Sequence, residues 1–209
     1  MAEEFEHAPQ PQGAQESPDT PAEEKQPRRP GADLFEWLQM LMVCILAAVV
    51  VFNCLARLTR VDGHSMDNTL HDGELMLVWS LGYTPKQGDI VVINKTTATF
   101  LGGNGDKAIV KRVIALGGQT VDVDYASNTV YVDGEPLDEP YIKEPMSLPL
   151  SDTMQQTHWE VPEGSIFVMG DNRNGSTDSR DDRLDTIHED YVLGRAVLAL
   201  WPLNRVGVL

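Results

Sequence analysis

Ala108-Ile109-Val110-Lys111-Arg112-Val113-Ile114-Ala115-Leu116, closed by Gly117-Gly118, is the stretch on which the fold turns. Its β-branched side chains are stiff at χ1 and pack well on a pleated surface. A short run of this kind ended by a glycine pair reads as a strand. Lysine is among the side chains least often buried, yet Lys111 lies among Ile109, Val110, Val113 and Ile114. If its side chain enters the apolar face, desolvation disfavours the charged form, and a neutral amine can accept a proton. If it points outward, it is an ordinary exposed lysine. The pattern alone leaves both readings open. Alternation along a strand places Arg112 on the opposite face, where it stays charged.

The same pattern recurs on either side. Glu74-Leu75-Met76-Leu77-Val78-Trp79 precedes it, and Asp89-Ile90-Val91-Val92-Ile93 follows Pro85-Lys86-Gln87-Gly88. Thr120-Val121-Asp122-Val123 and Thr129-Val130-Tyr131-Val132 flank Ser127-Asn128, and Asp133-Gly134 turns the chain again. Ser165-Ile166-Phe167-Val168-Met169-Gly170 and Ala196-Val197-Leu198-Ala199-Leu200-Trp201 complete the set. These are β-propensity runs separated by turn chemistry, with little helical periodicity and no internal repeat. Residues 59–209 are therefore expected to form one mainly β, antiparallel domain, with a short helical turn over residues 185–191.

The N-terminal part is built differently. Residues 40–52 are uninterruptedly apolar within the 19-residue run 37–55. At ~1.5 Å per residue, a helix of that length spans about 28 Å, close to the hydrocarbon thickness of a bilayer. Trp37 at one end and Arg57 and Arg60 at the other suit the interfaces. A core helix would show a polar stripe, and a cleaved signal would begin with a short basic segment rather than a long acidic one. A single transmembrane helix is expected over residues 34–58, with the lipid bilayer as a partner. Residues 1–33 are rich in Pro, Glu, Gln and Ala and too poor in large apolar side chains to offset ordering entropy, so they read as a disordered acidic tail. Lys25, Arg28 and Arg29 precede the span and Arg57 and Arg60 follow it. That small excess, together with the chemistry below, places the N-terminus in the cytoplasm and residues 59–209 outside.

The chain has 209 residues and a net charge of −16, which argues against a nucleic-acid partner. Cys44 and Cys54 both fall in the apolar run, so no intrachain disulfide can staple residues 59–209. No metal-ligand spacing or Gly-rich phosphate cradle is present, and no cofactor is expected. The sequence sets no oligomeric state.

Gly63-His64-Ser65-Met66-Asp67-Asn68-Thr69-Leu70 follows closely on the apolar run. A serine hydroxyl is a poor nucleophile until a base removes its proton. His64 adjoins Ser65, but neighbours on a strand face opposite ways. His71, His158 and His188 remain candidate partners, although Gly63-His64-Ser65-Met66-Asp67 lacks the second glycine of a nucleophile elbow. Lys111 is the stronger candidate base. Gly170-Asp171-Asn172-Arg173-Asn174-Gly175-Ser176-Thr177-Asp178-Ser179-Arg180 reads in two ways. It is either a surface turn held by Asx bonds, or a loop whose hydroxyls orient the base and whose Asp–Arg pair fixes it.

In order behind an apolar span, these three segments resemble the boxes of the type I signal peptidases. These are bacterial membrane-bound serine–lysine endopeptidases that remove signal peptides from exported proteins. Gly88-Asp89-Ile90-Val91 also resembles a strand entry of that family, and the resemblance covers about residues 36–205. It implies Ser65 as nucleophile and Lys111 as general base. Ser176 would hydrogen-bond the amine, and Asp178 and Arg180 would pair to hold the site. The Ser65 N–H would serve the oxyanion, with Asp62, Gly63, Met66 and Ile109 around the substrate. The substrate would be an extended signal-peptide segment with small side chains at positions −1 and −3, added to sheet edges near Asp62-Gly63 and residues 108–110. The chain departs from the family pattern in three places. Gly63 stands where many relatives carry a hydroxyl. Asn68 replaces a proline. Leu116-Gly117-Gly118-Gln119 replaces Leu-Pro-Gly-Asp. Two other readings compete: a self-cleaving repressor-type domain with serine–lysine chemistry, and a membrane-tethered β domain that binds extracellular ligands without catalysis.

Overall fold

The computed structural model describes residues 32–50, 56–94, 108–147, 149 and 151–209. Nearly all of the expected tail, and residues 51–55 of the apolar run, lie outside them. Helix α1, Ala32–Val50, carries Asp33, Glu36 and Gln39 in its first turns and is apolar on every side from Met40 onward. Its window Asp33–Val50 has a mean hydropathy of 1.9 and none of it is buried, so it is long and apolar enough to cross a membrane. The expected helical stretch 34–58 differs from the structure at its far end, because Ala56–Arg60 forms a strand, β1. The reason is non-local. Each residue of β1 finds an antiparallel partner on β2, Leu75–Trp79, running from Ala56 opposite Trp79 to Arg60 opposite Leu75. That ladder satisfies backbone groups that would otherwise be left as an open sheet edge.

The remaining strands are β3 Ile90–Ile93, β4 Ile109–Leu116, β5 Thr120–Asp124, β6 Thr129–Val132, β7 Glu135–Pro136, β8 His158–Glu160, β9 Ser165–Met169, β10 Ile187–His188, β11 Val192–Trp201 and β12 Gly207–Val208. The larger sheet runs β1-β2-β11-β3-β4-β9-β10, with β12 beside β11, and the smaller runs β7-β6-β5-β8. Every pairing is antiparallel. The hairpin between β6 and β7 turns on Asp133 and Gly134, both with positive φ (54° and 81°), which short polar residues and glycine accept. The expected turn over residues 185–191 is a single 3-10 turn, Glu189–Tyr191, preceded by β10.

Period-two alternation explains how one strand serves two cores. Ile90 and Val92 of β3 pack with Val61, Met66, Leu70, Met76 and Val78. Val91 and Ile93, on the other face, pack with Val113, Ile166, Val168 and Ile187. β3 is buried throughout, which is why its sequence is a continuous apolar run. A third core joins Ile114, Ala115 and Phe167 to Val121, Val123, Val130 and Trp159 of the smaller sheet. A register shift between Val113 and Ala115 marks where β4 leaves one core for the other. Trp159 and Phe167 meet there with ring centroids 4.9 Å apart.

Candidate active site

β1 ends in the turn that carries Ser65. Met66 and Leu70 are buried and anchor that turn. The amides of Thr69 and Leu70 both donate to the Met66 carbonyl, and the Asp67 amide donates to the His64 carbonyl. Met66 is thus a core residue beneath Ser65, and it is absent from the walls of the cleft. Gly63 has a φ of +102°, and its amide donates to Asp72 Oδ1 at 2.8 Å. Asn68 has a φ of +92°, which a proline ring cannot adopt; the departure from the resembled motif is therefore written into this backbone.

Lys111 sits on β4 opposite Val91 and is 3 % exposed. Its Nζ lies 2.7 Å from Ser65 Oγ. Burial lowers the amine from its ordinary value to about 8. The Arg180 guanidinium pushes the same way, while Asp178 and Asp171 pull it back up. The question left open by the sequence is settled in favour of the inward lysine. Ser65 is half-buried at the edge of a cleft of about 200 Å³. Asp62, Gly63 and His64 form one wall of that cleft and Ile109, Val110 and Lys111 another. Gly175 and Thr177 complete the lining.

The loop after β9 supports both groups. Gly170 is required by close approach, because a Cβ there would come within 2.4 Å of the Ser65 carbonyl oxygen and 2.3 Å of Ser176 Oγ. Asp178 and Arg180 are fully buried and paired, Nε to Oδ1 at 2.8 Å and Nη2 to Oδ2 at 2.9 Å. Gly170 N–H also donates to Asp178 Oδ2, and Arg180 Nη2 donates to the Arg173 carbonyl. Burial alone would raise the Asp178 carboxyl, but its contacts with Arg180 hold it below the usual carboxylate range. Ser176 is buried beside this pair, where its hydroxyl helps to hold the Asp178 carboxyl low. The bond expected from Ser176 Oγ to the lysine amine is not formed here.

Several supporting residues escaped the sequence reading. Arg112, expected only to stay charged, donates from Nε and Nη2 to the Asp171 carboxylate at 2.8 and 2.7 Å. Its guanidinium also lies 3.9 Å over the Tyr141 ring. Thr69 Oγ1 donates to the same carboxylate. Strand β4, the turn carrying Ser65 and the late loop thus meet at Asp171. Nothing local in sequence joins residues 69, 112 and 171. The histidines weighed as bases lie elsewhere: His71 beside Glu74, His158 beside Asp122 and His188 beside Asp190. His64 lines the cleft, but its ring lies 3.4 Å from Asp67 while Ser65 Oγ is engaged by the lysine. Among the described residues, no group of three His, Cys, Asp or Glu is placed to hold a metal ion.

A hydroxyl in hydrogen-bond reach of a buried amine can be activated as a nucleophile when the amine is neutral. The family model for signal peptidase, peptidase S26, matches residues 34–201. Signal peptidase I of Bacillus licheniformis is 36% identical over 180 residues, 83% of this chain and 91% of that protein. Signal peptidase I T of Bacillus subtilis (strain 168) is 35% identical over 190 residues, 88% of this chain and 93% of that protein. By the extent of the family match and of these relatives, the chain belongs to the signal peptidase family, peptidase S26.

Proposed function

We propose that this chain is a membrane-anchored serine endopeptidase that cleaves N-terminal signal peptides from exported preproteins. The observation that carries the reading is the 2.7 Å approach of a buried lysine amine to Ser65 Oγ. Neutral Lys111 takes the hydroxyl proton as Ser65 Oγ attacks the scissile carbonyl. The ammonium returns that proton to the leaving amine, and the acyl-enzyme is then hydrolysed by water. The Ser65 N–H stabilises the oxyanion, and Gly63 contributes no side-chain donor there. Asp178 and Arg180 hold the loop against the site.

β4 supports the substrate geometry. Its ladder to β9 begins only at Arg112, so residues 109–111 have no partner strand from β9. An extended peptide can add there through main-chain bonds, with Asp62 and Gly63 on its other side. α1 serves as the anchor in the bilayer, with the N-terminal tail cytoplasmic and residues 59–209 outside, where signal peptides emerge. A non-catalytic ligand-binding domain would have no use for a lysine held dry at a hydroxyl, an arrangement costly to stability.

The test is cleavage of a preprotein carrying an Ala-X-Ala site by the full chain in detergent. Ser65→Ala and Lys111→Ala are each expected to abolish cleavage while the protein stays folded. Substantial turnover in either variant rejects the assignment.

A further inference from the structure

Asn172 holds two consecutive carbonyls of the nucleophile turn. Its backbone N–H donates to the Ser65 carbonyl at 3.0 Å. Its side-chain Nδ2 donates to the His64 carbonyl at 2.9 Å. The Asp67 amide also donates to the His64 carbonyl, at 3.2 Å. Asn172 is 7 % exposed, so its amide is a buried polar group committed to this contact. Asp171, the residue before it, is held by Arg112, the residue after Lys111.

A trans peptide is planar, so the carbonyl of His64 and the N–H of Ser65 point in opposite directions. Fixing one fixes the other. The carbonyl is drawn toward the late loop by Asn172, which turns the Ser65 N–H the other way. That N–H is the donor the oxyanion needs, and in an electrostatic site a donor is effective only when aimed before the charge develops. The room for this amide is made by Gly175, where an added Cβ would fall 2.5 Å from Asn172 Nδ2.

We infer that Asn172 is a positioning residue for the oxyanion site: its side-chain amide orients the His64–Ser65 peptide so that the Ser65 N–H is preset for the transition state. The inference rests on the proteolytic reading above. It assigns the stabilisation of the tetrahedral intermediate, rather than the binding of substrate, to a contact 108 residues apart in sequence.

Two variants act on this contact by different routes. Asn172→Asp is isosteric and keeps the backbone bond to Ser65, but sets an oxygen against the His64 carbonyl. Asn172→Ala removes the amide from that carbonyl and likewise keeps the backbone bond to Ser65. The measurements are kcat and KM for the full chain on a preprotein, and the affinities of a peptide aldehyde, which forms a tetrahedral adduct with the serine, and of an uncleavable substrate peptide. Melting curves give the folded fraction. Both variants are expected to lose about tenfold or more in kcat per folded molecule, part of the loss seen when an oxyanion donor is removed outright. Aldehyde affinity should fall in step, with KM and uncleavable-peptide affinity changed less than about threefold, as for an interaction made only in the transition state. Unchanged kcat in both folded variants overturns the inference. So does a loss of uncleavable-peptide affinity that equals the loss of aldehyde affinity. An inactive parent chain overturns the proteolytic reading, and this role with it, whereas an active parent with unimpaired variants overturns this role alone.

Discussion

At the scale of single residues, the proposed chemistry depends on how dry Lys111 is. Burial lowers its amine to about 8, so at neutral pH most molecules carry the protonated form, which cannot act as base. Cleavage by the parent chain is expected to rise with pH through about 8 and then level off. A rate profile governed by a group near ~6.5 would point to a histidine instead. The same shift has a consequence for stability. The unfolded amine titrates at its ordinary 10.5, so between about 8 and 10.5 the unfolded chain binds more protons and the parent gains stability as pH rises. Lys111→Met should therefore be more stable than the parent at pH 7, by on the order of 1–3 kcal/mol, because it removes a buried charge. The margin should shrink as pH rises through that window, which denaturant titrations at several pH values would show. Asn68 offers a second test, since its φ of +92° excludes the proline of the resembled motif. Asn68→Pro should lose more than about 1 kcal/mol in the same titrations, with Asn68→Gly close to the parent.

At the scale of elements, the site is assembled where a strand end passes under a turn. β9 delivers Gly170 to the underside of the turn carrying Ser65, at a separation too small for any side chain. Gly170→Ala should displace the Ser65 carbonyl and lower kcat/KM by about 100-fold, the scale expected when reacting groups move by ~1 Å. A cleavage assay on folded protein checks this. The contact between the two sheets is a separate matter of packing. Trp159 of β8 is buried against Phe167 of β9. Trp159→Ala should cost about 3–5 kcal/mol in chemical denaturation, the range for an aromatic removed from a core. Most of these strands were legible because their β-branched runs and turn residues are local signals. β7, β8, β10 and β12 were missed because strands of two or three residues carry no periodicity to read. Residues 56–58 of β1 were assigned to the helix because the pairing of β1 with β2 is invisible in its own five residues.

At the scale of the whole molecule, an apolar helix and a β-rich part share one chain, and the proposed topology sets them on different sides of a bilayer boundary. Residues 59–209 are expected to be degraded by protease added to intact, wall-stripped cells. Protection of that part would reverse the orientation. The net charge of −16 bears on solubility and association and sets no feature of the fold.

The sequence by itself determined the apolar span and the mainly β class of the rest, and it singled out Ser65 and Lys111 as candidates, because these are read from composition, alternation and motif within short windows. Only the tertiary structure decided that Lys111 is buried and reaches Ser65 across 46 residues, that Met66 belongs to the core rather than the cleft, and that Arg112 and Asn172 tie the late loop to the nucleophile turn. Desolvation and hydrogen-bond geometry are set by whatever the fold brings against a side chain, and those neighbours come from strands and loops far away along the chain.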